Sequence, residues 1–148
     1  MGYCERDDLR GGRPEHAWLH WVDLDGDGLE DSGVVDRVIR EATATVDSYL
    51  ATRYPVPFSP VPDIIRDTTR KIAFWNLATG RGFDGEGADK NILLDYQAAL
   101  AWLKSVSKGE AVVPGATSLG ATAPTSPETA AELVCPTPTF VGRLGGYG

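Results

Sequence analysis

The chain has 148 residues, 42% of them hydrophobic and 24% charged, with a formal net charge of −7. That is one globular domain's worth of sequence, neither a disordered polyelectrolyte nor a basic module that grips nucleic acid by counterion release. No apolar run approaches the roughly 18–20 residues needed to cross a bilayer. The polar, acidic start Met1-Gly-Tyr-Cys-Glu-Arg-Asp-Asp does not read as a secretory signal, and the cysteines, Cys4 and Cys135, form no disulfide framework or zinc signature; both features point to synthesis in a reducing cytoplasm.

Charge is unevenly placed. Residues 1–30 hold eight acids and three bases, residues 31–108 ten of each, and residues 109–148 three acids and one base. Within the acidic start, a short helix over Glu5–Leu19 is allowed but is interrupted by Gly11-Gly12 and Pro14. His16 and His20 stand four residues apart, as ligands on a helix can, but lack the surrounding pattern of a zinc site. Trp18 and Trp21 read as core residues or, in so irregular a segment, as interface anchors.

The sharpest local motif follows, Asp23-Leu-Asp25-Gly-Asp27-Gly28-Leu29-Glu-Asp31. Carboxylates at alternate positions of a tight turn converge on one point, and this is the first half of an EF-hand calcium loop. Asp23, Asp25 and Asp27 take loop positions one, three and five, the Leu29 carbonyl position seven and Asp31 position nine; position twelve, where a bidentate Glu belongs, is Val34. Two readings stand: a weak structural Ca²⁺ site, or a metal-free Asp-Gly turn that caps the next helix.

From Asp31 to Ala51, Val34, Val35, Val38, Ile39, Ala42, Val46, Tyr49 and Leu50 recur in threes and fours, which predicts a long amphipathic helix with Asp31 or Ser32 as its N-cap. Tyr54-Pro-Val-Pro-Phe-Ser-Pro-Val-Pro62 cannot continue it and predicts a stiff extended connector of polyproline II character. A second helix is expected from about Pro62 to Thr79, with Ile65, Thr68 or Thr69, Ile72 and Trp75 on its buried stripe and Phe74 and Leu77 widening it. The glycines of 80–87 read as a link between helices, since no Lys-Ser/Thr follows to make a phosphate loop. A third helix is expected from about Ala88 to Ser107, stopped by Gly109, with Ile92, Leu93, Tyr96, Ala99, Leu100, Leu103 and Val106 as its stripe.

The fold class is therefore all-α: a small bundle of three long helices, with the short N-terminal helix added, over residues 1–110. Residues 111–148 form a Gly/Pro-rich irregular arm. Seven Gly and five Pro fall in residues 109–148, with only four charges, yet the segment ends in Phe140, Val141, Arg143, Leu144 and Tyr147. An arm tipped with apolar anchors suits ordering on a partner. No Ser-His-Asp set, Cys-His pair or paired catalytic carboxylates stand out, so an enzyme is disfavoured.

The order of these motifs carries a resemblance. Asp7-Asp8-Leu9 is followed by Asp-x-Asp-Gly-Asp-Gly and Val34-Val35-Asp36-Arg37. Next come Val46-Asp47-Ser-Tyr49-Leu50-Ala51-x-Arg53-Tyr54, the prolyl link, Arg70-Lys71-Ile72-Ala73 and Tyr96-x-x-Ala99-Leu100-x-Trp102-Leu103. Over roughly residues 3–113, and most specifically from Asp23 to Pro57, the chain resembles the small neck proteins of Mu-like tailed phages and prophages. The resemblance implies a head–tail connector, or head-completion protein, of the virion: a helical subunit made in the host cytoplasm that assembles as a ring, commonly a dodecamer, beneath the portal. Its implied partners are the portal protein, neighbouring copies and a downstream neck or tail protein, with DNA only a passing, weakly contacted strand and no membrane. An acidic lumen repels phosphate and lets DNA through, which agrees with the net charge. The competing reading is a calcium-binding interaction module built on the Asp23–Asp31 loop.

Overall fold

A computed structural model describes residues 2–82 and 87–119. Among them are five α-helices and no strand: α1 (Arg6–Arg10), α2 (Glu15–Val22), α3 (Val34–Leu50), α4 (Asp63–Arg81) and α5 (Lys90–Lys108), with a 3₁₀ turn at Gly87–Asp89. The protein is all-α, as its periodicity predicts.

Helices α3, α4 and α5 pack on one another as a three-helix bundle, and α1 and α2 lie on α4. The apolar stripes read from the sequence form this core. From α3 come Val35, Val38, Ile39, Ala42, Val46 and Leu50; from α4, Ile65, Ile72, Ala73, Phe74 and Leu77; from α5, Ala99, Leu103 and Val106. Trp18 of α2 and Leu9 of α1 are fully buried beside them, so Trp18 belongs to the core. The short N-terminal helix is two helices, separated at Gly11-Gly12-Arg13-Pro14, where Gly11 ends α1 in the left-handed region at φ 57°.

Three local expectations are corrected. The N-cap of α3 is Gly33, at φ 82°, and not Asp31 or Ser32; the Asp31 carboxylate is turned back across the preceding loop, where it accepts the Leu24 N–H. The prolyl connector is not extended. Tyr54 and Phe58 both turn into the core, and the peptide bonds Val56–Pro57 and Ser59–Pro60 are cis. Packing of two aromatic rings outweighs the connector's intrinsic polyproline preference. Trp75, expected on the buried stripe of α4, is only half-buried; it stacks on Tyr96 of α5 with ring centroids 4.7 Å apart.

Gly109 stops α5, as predicted. At φ 86° it donates its N–H to the Val106 carbonyl, while Glu110 donates to that of Ser105. These paired bonds satisfy carbonyls that a helix end leaves orphaned. The compact unit nevertheless runs on to Ala116. Val113 is 2% exposed and gives its N–H to the Tyr54 hydroxyl at 2.9 Å.

Candidate functional site

The Asp23–Asp31 loop leaves α2 at the buried residue Val22 and returns to open α3. Asp23 organises it. One carboxylate oxygen accepts the N–H groups of Gly26 (2.7 Å) and Asp27 (3.1 Å), and the other accepts that of Gly28 (2.8 Å). Gly26 and Gly28 lie at φ 82° and 84°, a conformation other residues adopt at a cost. Asp25 and Asp27 repeat the device, accepting the N–H groups of Asp27 and Leu29 respectively. The Asp31 N–H closes the loop on the Val22 carbonyl at 3.0 Å.

Two residues that the sequence did not single out hold this loop to the bundle. Arg81, at the end of α4, donates to the Asp23 carbonyl at 2.6 Å. Glu30 accepts the indole N–H of Trp18 at 2.6 Å and pairs with Arg6 at 2.8 Å. The Arg6 hydrogen bond leads in holding the Glu30 carboxyl below its usual range, with the Trp18 donor adding to it against desolvation. Neither role has a short-range sequence signal, since Arg81 lies 58 residues from Asp23.

Carboxylate oxygens of Asp23, Asp25 and Asp27 lie within 4.8 Å of one another. The three first-half positions of the loop therefore converge, as their spacing predicts, on a point suited to a hard cation. Desolvation raises the Asp23 carboxyl, and the N–H donors of Gly28, Gly26 and Asp27 outweigh it, so the group sits below its ordinary value. Asp25 moves the other way. The Asp27 N–H lowers it, but desolvation and the charges of Asp27 and Asp31 prevail. Position twelve cannot contribute: Val34 is 9% exposed and faces the core. Leu24 and Leu29, by contrast, are 44% and 67% exposed among the acids.

The remaining candidates are spread out. His16 and His20 lie exposed on α2, outside the described cluster of metal-ligating groups. Cys4 is buried, and burial first, then the Asp8 charge, pushes its thiol up to about 12; at neutral pH it is protonated and a poor nucleophile. Cys135 and the anchors Phe140, Val141, Arg143, Leu144 and Tyr147 lie outside the described residues.

Set against known proteins, residues 3–132 match the family described as Bacteriophage Mu, Gp36. The chain belongs to the phage Mu Gp36 family. Gene product J of Escherichia phage Mu is 26% identical over 121 residues, which cover 82% of this chain and 80% of that protein. The resemblance to a Mu-like phage family therefore holds, and it extends beyond the residues that first carried it. The Gp36 match takes in α1 to α5 and the whole acidic loop.

Proposed function

We propose that this Gp36-family protein is a structural component of the virion, a head–tail connector that forms a ring between portal and tail. The observation that carries the reading is membership of a phage Mu family across nearly the whole chain. The physical chemistry agrees with it. A net charge of −7 suits a channel that passes DNA without holding it. A modest three-helix core gains stability from neighbours in a closed ring. The apolar-tipped arm, with Phe140, Val141, Leu144 and Tyr147, is suited to docking on the portal or an adjacent subunit. The downstream face of the ring receives the next neck or tail protein. On this reading the protein acts by holding parts together and not by catalysis, and it works in the virion neck after synthesis in the host cytoplasm. A conditional null mutant of the phage tests it: DNA-filled heads and free tails that fail to join are expected, and normal yields of tailed particles would refute it.

A second reading, a calcium-binding interaction module, is favoured by the convergence of Asp23, Asp25 and Asp27. With Val34 in the core at position twelve, the loop keeps only the weaker half of the ligand set, so the ion would act as a staple and not a switch. Titration calorimetry separates the two: heat of binding at millimolar Ca²⁺, abolished by Asp25→Asn, is expected of the module, and its absence removes it.

A further inference from the structure

Helix α5 carries more apolar surface than the bundle covers. Ala99, Leu103 and Val106 are buried, yet Leu94 is 49% exposed and Ala98 and Ala101 are exposed as well. Lys90, Leu94, Ala98, Ala101, Lys104 and Lys108 follow one another at steps of three and four, so they share one outward face. Its lysines are exposed and, among the described residues, free of ion pairs. Gln97 lies on the same face, which therefore sets Leu94, Ala98 and Ala101 beside one amide and borders them with positive charge; Asp95, the one acid of α5, lies off it.

The Asp23–Asp31 loop is its complement. Leu24 and Leu29 project from it at 44% and 67% exposure, bordered by Asp25, Asp27 and Asp31. The two patches belong to elements that meet α4 through different residues. Phe74 of α4 meets Trp21 of α2, ring centroids 5.3 Å apart, while Trp75, about 100° further round the same helix, stacks on Tyr96 of α5. The layer of α1, α2 and the loop is thus on one flank of α4 and α5 is on another.

We propose that the acidic loop of one copy docks on the outer face of α5 of a second copy, Leu24 and Leu29 against Leu94, Ala98 and Ala101, and the loop aspartates against Lys104 and Lys108. Because two different patches meet, the contact is heterologous and leaves each pair with one free patch of each kind, which propagates into a ring where the rotation closes. The inference deepens the ring reading above and rests on it for the setting in which the contact is used.

Zero-length carbodiimide coupling of carboxylates to lysines tests it, on the full chain mixed from heavy-isotope and unlabelled copies and read by mass spectrometry. Heavy–light peptide pairs joining Asp25, Asp27 or Asp31 to Lys104 or Lys108 are expected, with yield falling as salt is added. Heavy–light pairs that join other surfaces, or none, overturn the proposal. Charge reversal gives an independent check on exposed positions, with helicity by circular dichroism confirming that each variant folds. The Asp25→Lys/Asp27→Lys and Lys104→Glu/Lys108→Glu variants should each lose the coupling between positions 25 or 27 and 104 or 108, and their mixture should regain it, since every patch then meets its opposite. Coupling by either variant alone at the wild-type level contradicts the contact. Failure of the coupling in a chain that still sits in the virion neck removes this contact and leaves the connector reading; coupling by a chain absent from particles does the reverse.

Discussion

The Tyr3 hydroxyl accepts the backbone N–H of Phe58 at 3.1 Å, across 55 residues of sequence. The same hydroxyl donates to Oδ1 of Asp47 on α3, and the Tyr3 backbone N–H donates to Oγ1 of Thr43 at 3.1 Å. One residue thus ties the N-terminal segment to α3 and to the prolyl connector. Tyr3→Phe keeps the ring and removes the hydroxyl, leaving a buried N–H without its acceptor. Such a group costs about 1–3 kcal/mol, and the urea midpoint should fall with the slope unchanged.

Alkaline pH should weaken the fold through two groups in this same segment. Burial first, then the Asp8 charge, raises the Cys4 thiol from 9.0 to about 12, and burial followed by the Asp47 hydrogen bond raises Tyr3 above its ordinary 10.0. A group whose folded pKa exceeds its unfolded value stabilises the fold fully below the unfolded value and ceases to do so as pH rises through the folded one. Denaturant melts from neutral pH upward should therefore show stability falling above about pH 9, and Cys4→Ala should flatten the first part of that fall.

The three long helices were legible because their apolar positions follow a 3.6-residue period, and a helix of that length is decided by its buried face. The Asp23–Asp31 turn was legible because most of its bonds are local: Asp23, Asp25 and Asp27 cap N–H groups within five residues. What escaped was decided by distance in space. The connector folds in because Tyr54 and Phe58 find the core, a tertiary effect that overrides four prolines. Asp31 is lost as a helix cap because Leu24 takes its carboxylate. The outer face of α5 escaped as well, because only the packing shows that Leu94, Ala98 and Ala101 stay uncovered.

Removing the Asp23 carboxylate should open the loop and spare the helices. In Asp23→Ala the amides of Gly26, Asp27 and Gly28 lose their shared acceptor. Hydrogen exchange should accelerate at these three positions while the amides of α3 and α4 stay protected.

The compact unit reaches its end at Ala116, so deletion of residues 134–148 should leave the thermal transition of the helical domain in place. On the connector reading the same deletion takes away Phe140, Val141, Arg143, Leu144 and Tyr147 and should stop incorporation into particles. Calorimetry of the truncated chain and a count of the protein in purified virions check the two halves separately.

Truncating Trp18 should be far more damaging than truncating either neighbouring histidine. Its side chain is fully buried and its indole N–H is held by Glu30, so Trp18→Ala should cost about 3–5 kcal/mol, against a few tenths for the exposed His16 and His20. Chemical denaturation of the three variants gives the comparison.

The central claim is one of position, and cryo-electron microscopy of intact virions measures position directly. The account predicts a ring of copies of this helical subunit seated between portal and tail; density for the chain on the capsid shell, on the tail tube or nowhere in the particle would contradict it.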